Sequence, residues 1–263
     1  MTDLPEAGMD PARPAASARF LGHSTFELDL GVGTVLTDPV LRHRVLFLRR
    51  TGTRPAPPRP HPTVVLVSHL HHDHFDVPSL AGWALGSVIV VPQGSQRLFR
   101  RHGFPDVVPL SAGESHRVGG LTVTATPARH SGRREPFGPT AEALGFLLEG
   151  GGRRVYFAGD TDLFPEMRGL GAPLDLALVP VWGWGPRLGS GHLDPGRAAD
   201  AVARLRPRVA IPMHWGSFGV YGHLQGEARR RAPARRFAAE VGRRGLDTEV
   251  RVLAPGTGLT HID

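Results

Sequence analysis

The 263-residue chain is long enough for one large domain or two fused halves, and its 40% apolar content suffices for a hydrophobic core. The absence of cysteine excludes disulfides and thiolate metal ligands and predicts a cytoplasmic protein, and no apolar run is long enough to span a membrane. All 31 basic residues are arginine and the net charge is +7, which indicates either an anionic partner, such as nucleic acid or anionic lipid, or a GC-rich genome. The abundant alanine, glycine and proline favour the genomic explanation for most of the surface.

The N-terminal residues 1–18 are rich in proline and alanine and lack the apolar core of a signal peptide. We therefore expect a disordered lead-in there. Residues 19–263 are predicted to form a single domain with two β-rich halves, about 19–160 and 161–263.

The domain begins with two predicted strands, at 19–30 and 33–37. The segment 41–62 then breaks the pattern with a mixture of apolar residues, arginines and prolines. It is too long for an ordinary loop. We interpret it either as a lid over an amphiphilic, anionic ligand or as an inert surface insertion.

Strands and short helices alternate along the rest of the chain, in two sets of strands with helices outside both, which indicates a layered α/β domain. The predicted strands lie at 63–67, 87–92, 107–110, 115–118, 121–128, 143–148, 154–159, 174–181, 208–214 and 248–253. The predicted helices lie at 78–85, 95–102, 195–206 and 233–244.

A histidine-rich motif follows the short buried strand at 63–67, with the pattern His-x-His-x-Asp-His from His69 to His74. Side chains two apart on an extended segment point the same way, so His69 and His71 can converge on one point. Asp73 and His74 follow the turn and can face a second point nearby. Imidazole and carboxylate ligands suit zinc, iron or manganese. The alternatives are a solvated turn or an expression tag, but a tag would lie at a terminus without a strand before it.

Three more candidate ligands follow predicted strands: His130 in Pro-Ala-Arg-His, Asp160 in Ala-Gly-Asp-Thr and His214 in Pro-Met-His-Trp. Because each ends a β-type run, all three can lie on the same rim as the histidine-rich motif. Together, the four motifs resemble the metal-binding motifs of the metallo-β-lactamase superfamily, in the same order along the chain.

The resemblance extends to one branch of that superfamily. Residues 21–26, 36–41 and 191–195 resemble N-acylphosphatidylethanolamine phospholipase D, ascorbate-6-phosphate lactonases and related bacterial hydrolases. The resemblance implies a four-layer αββα sandwich of the α/β class. It also implies two divalent metal ions, with zinc as the first expectation and manganese or iron as alternatives.

The resemblance further implies how the ligands are divided between the two ions. One ion is bound by His69, His71 and His130, the other by Asp73, His74 and His214, and Asp160 bridges them. Water bound to such a site has its pKa lowered to about 7, which makes hydroxide available as a nucleophile.

Side chains close to these motifs are candidates for contacts with the substrate. Arg133 and Arg134 follow His130 directly, and Arg187 lies in one loop with Trp182 and Trp184. A positively charged site with arginines nearby suits a phosphodiester or another anion. The two tryptophans are predicted to wall the cleft, although aromatic side chains more often serve packing.

His192 is the strongest candidate outside the predicted ligands, and together with Asp73 it is predicted to be catalytic. It lies in a glycine-rich loop before a helix capped by Asp194. We expect it to protonate the leaving group, with an ordinary surface histidine as the alternative. His23 and Asp38 are predicted to orient ligand imidazoles without binding metal.

The leading hypothesis is a dinuclear zinc hydrolase that uses metal-bound hydroxide on a phosphodiester or phospholipid-like anionic substrate. A lactone or ester hydrolase is the first alternative, and a ribonuclease or nucleic-acid-binding protein is the second. Few aromatic residues and no separate RNA-clamping arm argue against an obligate nucleic-acid partner. The apolar, arginine-rich segment 41–62 allows peripheral membrane contact, and no sequence feature specifies an oligomeric state.

Overall fold

The protein is described by a computed structural model that covers residues 14–262, except 53, 59–60, 135–136, 171–172, 186 and 222–225. Most of the predicted lead-in at 1–18 lies outside the described residues. The first strand begins at Ser17, because Ala16 and Ala18 pack in the core, so the lead-in is shorter than predicted. No helix within the described ranges is long and apolar enough to cross a membrane.

The described residues form strands, α-helices and one 3₁₀ helix, at Pro165–Gly169. The strands are β1 (Ser17–Gly22), β2 (Thr25–Asp29), β3 (Thr34–Thr37), β4 (Arg44–Val45), β5 (Leu48–Arg50), β6 (Val64–Leu66), β7 (Val88–Pro92), β8 (Val107–Leu110), β9 (Ser115–Val118), β10 (Leu121–Pro127), β11 (Leu144–Gly150), β12 (Arg153–Phe157), β13 (Leu174–Pro180), β14 (Pro207–Met213), β15 (Phe218–Val220), β16 (Glu249–Val250) and β17 (Gly258–His261). The α-helices are α1 (Val77–Trp83), α2 (Gln96–Arg101), α3 (Pro195–Leu205) and α4 (Glu227–Arg243).

Two seven-stranded sheets pack face to face. The strand order is β17-β1-β2-β3-β6-β7-β8 in the first sheet and β16-β14-β13-β12-β11-β10-β9 in the second. Helices α1 and α2 pack on the outer face of the first sheet, and α3 and α4 pack on the second. This arrangement confirms the predicted four-layer αββα sandwich.

The alternation of apolar side chains explains how a strand of the first sheet serves two layers. Val35, Val64 and Leu66 point into the core between the sheets. Leu36 and Val65 point the other way, into the cluster beneath α1 and α2. A strand buried on both faces reads as a continuous apolar run, which is why 63–67 was recognisable as a strand.

The two sheets do not divide the chain at residue 160, as the predicted halves did. The first sheet takes strands up to Leu110 and the second begins at Ser115, because β9, β10 and β11 form an antiparallel meander that joins β12. The predicted final strand at 248–253 is reduced to β16. The chain then returns to the first sheet as β17, which pairs with β1 and was not predicted.

Two other predictions were wrong at their boundaries. The predicted strand at 19–30 divides into β1 and β2 at His23, which adopts a left-handed φ of 60°. The last helix begins at Glu227, with Pro233 inside it. The prediction placed its start at Pro233 because proline favours the first turn of a helix.

Part of the segment 41–62 is a β-hairpin rather than a long irregular loop. Strands β4 and β5 pair with each other, and β5 also pairs with β15. Val45, Leu48 and Phe218 form a small apolar cluster beneath this three-stranded sheet. The buried guanidinium of Arg50 donates to the carbonyl oxygen of Val40 and lies 4.6 Å from the centre of the Phe218 ring. These contacts hold the hairpin against the domain.

Candidate metal centre

The predicted ligands follow the carboxyl ends of strands from both sheets. The histidine-rich loop at 69–74 follows β6, and from the second sheet His130 follows β10, Asp160 follows β12 and His214 follows β14. In α/β proteins, ligands bind in the crevice outside the carboxyl ends of such strands. Side chains that are far apart in the sequence therefore meet at one rim.

Gly159 allows the chain to deliver Asp160 to this rim. Its φ is +58°, and a Cβ atom there would lie 2.7 Å from the carbonyl oxygen of Leu144 and 2.9 Å from the Cβ of Ser68. Only glycine fits both the left-handed backbone and the close approach of the neighbouring chain.

The first ligand group consists of His69, His71 and His130. The Nε2 atoms of His69 and His130 each lie 3.0 Å from Nδ1 of His71. The carbonyl oxygen of Gly191 lies 2.8 Å from Nδ1 of His130, so that nitrogen donates and Nε2 is left to face the group. Three nitrogens this close together match three ligands at about 2.0–2.1 Å from one zinc ion.

The second group consists of Asp73, His74 and His214. The Nε2 atoms of His74 and His214 lie 3.2 Å apart. Oδ2 of Asp73 lies 3.9 Å from the first of these nitrogens and 3.8 Å from the second. The structure thus brings the two predicted triplets together as separate, adjacent groups.

Asp160 lies between the two groups. Its Oδ2 is 3.2 Å from Nε2 of His74, 3.1 Å from that of His214 and 4.0 Å from that of His130. Its Oδ1 is buried and has no hydrogen-bond partner among the described residues. A buried carboxylate oxygen without a partner is costly, so the residues present fit a metal ion that would take this oxygen as a ligand.

The protonation of the first group suits metal binding. Burial lowers the pKa of His69 well below its ordinary value, lowers that of His71, and lowers that of His130 to about 4. These imidazoles are therefore neutral near pH 7, with a lone pair free for a cation.

The second group carries opposite charges in close contact. Burial would raise the pKa of Asp160, but the neighbouring His214 and His74 outweigh it and hold that pKa well below the usual range. Burial would lower the pKa of His74, but Asp160 and Asp38 outweigh it and raise that pKa well above the usual range. A cation bound at this point would replace the proton on His74.

Asp38 occupies the orienting position predicted for it. Its Oδ2 lies 2.6 Å from Nδ1 of His74, and it also accepts hydrogen bonds from the backbone and side chain of Ser68. The Ser68 hydroxyl lies 2.9 Å from Nδ1 of His69. Sequence reasoning missed Ser68, although a polar residue at the end of an apolar strand, directly before the first ligand, was an available signal.

His23, the second predicted orienting residue, contacts Asp73. Burial lowers the pKa of His23 to about 3, so its ring is neutral, and Nε2 lies 2.9 Å from Oδ2 of Asp73. The indole Nε1 of Trp184 donates to the same oxygen at 3.1 Å. Trp184 was predicted to wall the substrate cleft, but its indole N–H is hydrogen-bonded to Asp73, one of the predicted metal ligands. Its ring packs edge-on against Phe47 from the hairpin.

Arg134, which was predicted to contact the substrate, is engaged in contacts within the protein, and its role toward a substrate stays a prediction. Its guanidinium donates to the carbonyl oxygens of Leu70, at 2.6 Å, and Phe75, at 3.3 Å, and lies over the Phe75 ring. The side chain therefore braces the two ends of the ligand loop. Two carbonyl groups that the loop leaves without strand partners account for this position.

The other predicted substrate contacts lie around the rim. Arg133 and Arg187 are exposed. Trp182 is partly buried, and its carbonyl oxygen lies 2.8 Å from Nδ1 of His214, so its backbone orients a ligand. The roles of these three side chains toward a substrate remain predictions.

His192 lies beside Asp160 and His130. Its Nε2 is 3.4 Å from Oδ2 of Asp160, and its Nδ1 faces the carbonyl oxygens of Gly189 and Ser190. Burial would lower its pKa, but the hydrogen bond to Asp160 outweighs it and raises that pKa. His192 also forms a group with His130 and Asp160 that is close enough to hold a metal ion.

Two histidine groups joined by a carboxylate at the rim of an αββα sandwich define the metal-dependent hydrolases of one superfamily. The chain belongs to the metallo-β-lactamase superfamily, because the family described as "Beta-lactamase superfamily domain" matches residues 33–215.

Relatives with similar sequences carry the name of metal-dependent hydrolases. The UPF0173 metal-dependent hydrolase of Deinococcus radiodurans is 38% identical over 239 residues, which cover 90% of this chain and 96% of the relative. The UPF0173 metal-dependent hydrolase of Symbiobacterium thermophilum is 35% identical over 253 residues, or 92% and 98% of the two chains. The chain is accordingly a metal-dependent hydrolase.

A solved structure shares the fold. Igni18, a metallo hydrolase from the archaeon Ignicoccus hospitalis, superposes with a TM-score of 0.72 at 24% sequence identity, over 95% of this chain and 99% of the other.

Proposed function

We propose that the chain is a dinuclear zinc hydrolase that acts on a phosphodiester or a phospholipid-like anionic substrate. The supporting observation is the position of Asp160. Its Oδ2 faces nitrogens of both ligand groups, and its Oδ1 is buried without a partner among the described residues. A carboxylate in this position is suited to bridge two ions.

Two divalent ions, once bound, would supply an activated water and would polarise the bond to be broken. The surrounding residues prepare the site for them. Asp38 and Ser68 fix the rings of two ligand histidines, one in each group. His192 holds a ring nitrogen beside Asp160, where it can give a proton to a departing oxygen. Manganese and iron are the alternative metals for the same nitrogen and oxygen ligands.

The charge of the site supports an anionic substrate. Two divalent cations carry more positive charge than Asp73 and Asp160 neutralise. Arg133 and Arg187 remain candidates to contact the substrate from the exposed rim. The resemblance of the N-terminal motifs to the phospholipase D and lactonase branch supports a phosphorus or carbonyl centre as the point of attack.

The commitment of Arg134 favours a second candidate, a lactone or ester hydrolase. Its guanidinium donates hydrogen bonds to the carbonyl oxygens of Leu70 and Phe75. The rim therefore has one cation fewer to select an anion than the sequence predicted. A neutral acyl substrate, polarised by the metal ions alone, fits such a site.

Hydrolysis of bis(p-nitrophenyl) phosphate, measured beside a panel of acyl lactones with zinc-loaded protein, separates the two candidates. We expect turnover of the diester. Turnover of lactones without any turnover of the diester would reject the first candidate in favour of the second.

A further inference from the structure

The tip of the hairpin carries an exposed apolar patch. Leu46 and Phe47, at the turn between β4 and β5, are 55% and 50% exposed, and Tyr221 beside them is 58% exposed. The backbone of Tyr221 donates to the carbonyl oxygen of Phe47 at 3.0 Å, which places the three together. We call Leu46, Phe47 and Tyr221 the hairpin patch. Large apolar side chains gathered in this way mark an interaction surface.

The backbone at the tip is unusual for such a residue. Leu46 has a φ of +50°, in the left-handed region where glycine or asparagine is the usual choice. A leucine at this position costs conformational energy and leaves an apolar side chain in water. Both costs are explained if the leucine side chain is buried against a partner.

The surroundings of the hairpin patch are positively charged. The 34 residues between Asp38 and Asp73 include six arginines and no acidic residue, although Arg42 pairs with Asp76 and Arg50 is buried. Arg44 and Arg49 are exposed on the hairpin itself, and the guanidinium of Arg44 lies 5.3 Å from the centre of the Tyr221 ring. An apolar tip flanked by arginines is complementary to a surface that is apolar inside and anionic outside.

We propose that the hairpin patch docks the protein on an anionic lipid surface. Leu46 and Phe47 enter the headgroup region, while Arg44 and Arg49 contact lipid phosphates. RNA fits the patch less well, because the aliphatic Leu46 offers no ring on which a base can stack. A second copy of the chain also fits less well, because a symmetric contact would bring like-charged hairpins together.

Docking in this orientation would bring the metal centre close to the lipid. Phe47 packs against Trp184 with ring centres 5.3 Å apart, and Trp184 donates to Asp73 at 3.1 Å. This proposal rests on the proposed function in one respect, because the hairpin would bring a lipid-like substrate to the metal centre. The docking itself does not depend on which bond is cleaved.

Cosedimentation of the metal-loaded protein with vesicles tests the proposal, using phosphatidylcholine vesicles with and without phosphatidylglycerol. We expect binding only when phosphatidylglycerol is present. The double variant Leu46→Gly, Phe47→Ser should bind about tenfold more weakly, because it removes two apolar side chains. Arg44→Gln should weaken binding about fivefold. Leu85→Ser is the matched control, since Leu85 is 64% exposed but lies outside the hairpin patch, and it should bind like the wild type.

Several outcomes would overturn the proposal. These are no binding to either vesicle, equal binding to both, equal losses in Leu85→Ser and the tip variant, and a wild-type dimer in light scattering that the tip variant abolishes. Tighter binding to RNA than to the phosphatidylglycerol vesicles, lost in the tip variant, would also overturn it. Leu46→Gly alone, which suits the left-handed backbone, gives a folded test if the double variant does not fold. Vesicle binding is measured without turnover, so its failure is distinct from failure of the proposed hydrolysis.

Discussion

Oδ2 of Asp38 lies 2.6 Å from Nδ1 of His74, on the side of the ring opposite the ligand nitrogen. The same buried carboxylate accepts a hydrogen bond from the hydroxyl of Ser68, which lies 2.9 Å from Nδ1 of His69. One carboxylate therefore orients a ligand histidine in each of the two groups. A group that fixes both rings should affect the affinity for both of the proposed ions.

The first prediction concerns this carboxylate. Asp38→Asn should lower zinc affinity about 10–100-fold, because an amide cannot accept from Ser68 and His74 as the carboxylate does. Competition with a chromogenic chelator measures the affinity, and circular dichroism reports the fold. Asp106→Asn, in an exposed loop, is the control and should bind zinc like the wild type. If Asp38→Asn binds zinc as tightly as the wild type, Asp38 does not orient the ligand histidines.

The second prediction is a metal content close to two ions per chain. The seven predicted ligand side chains exceed what a single tetrahedral zinc ion needs. Elemental analysis after reconstitution measures the content, and bound metal should also raise the melting temperature, because it binds the folded state. Asp160→Ala should lower the content and abolish activity while the chain still folds. A ceiling of one ion in the wild type would contradict the dinuclear site.

The pattern of strands and helices alone predicts only a layered α/β domain, and the four-layer fold was predicted from the resemblance of the motifs to the metallo-β-lactamase superfamily. The same motifs nominated the residues that meet at the rim. Periodicity identifies strands such as 63–67, whose burial on both faces leaves a continuous apolar run. The order of the motifs then places His130 and His214 at the ends of strands. These predictions depend on local patterns and on the sheet rim that the strands share.

Sequence reasoning failed where long-range contacts decide the outcome. Strand β17 pairs with β1 across nearly the whole chain, and no local pattern records such a partner. Arg134 follows His130 closely, but proximity in the sequence did not reveal that the carbonyl groups of Leu70 and Phe75 would bind it. Trp184 likewise reaches Asp73 only because the second sheet brings its loop to the first.

The third prediction separates bracing from substrate binding at Arg134. Arg134→Met should lower the free energy of unfolding by about 1–3 kcal/mol, because two carbonyl groups lose a charged donor. KM for an anionic substrate should stay unchanged, whereas kcat should fall as the ligand loop loosens. Arg97→Met, at an exposed position on α2, is the control and should leave stability unchanged. Denaturant unfolding and steady-state kinetics measure both effects. If Arg134→Met instead raises KM without a loss of stability, Arg134 contacts the substrate and does not brace the loop.

The last prediction concerns His192, whose Nε2 lies 3.4 Å from Oδ2 of Asp160. The metal ions would activate the water, but an alkoxide leaving group also needs a proton. Because Nδ1 faces the carbonyl oxygens of Gly189 and Ser190, the ring is held with Nε2 toward the centre. His192 is placed to meet this demand as a proton donor.

His192→Ala should therefore keep two metal ions and lose about 10²–10⁴-fold in rate on a substrate with an alkyl leaving group. With p-nitrophenolate, which leaves without a proton, the loss should be much smaller. Elemental analysis and parallel kinetics on the two substrates make the comparison. Equal losses of rate on both substrates would indicate that His192 positions the substrate. A loss of metal would indicate that His192 is a metal ligand, which its closeness to His130 and Asp160 allows. Full activity of His192→Ala on both substrates would show that His192 is an ordinary loop histidine.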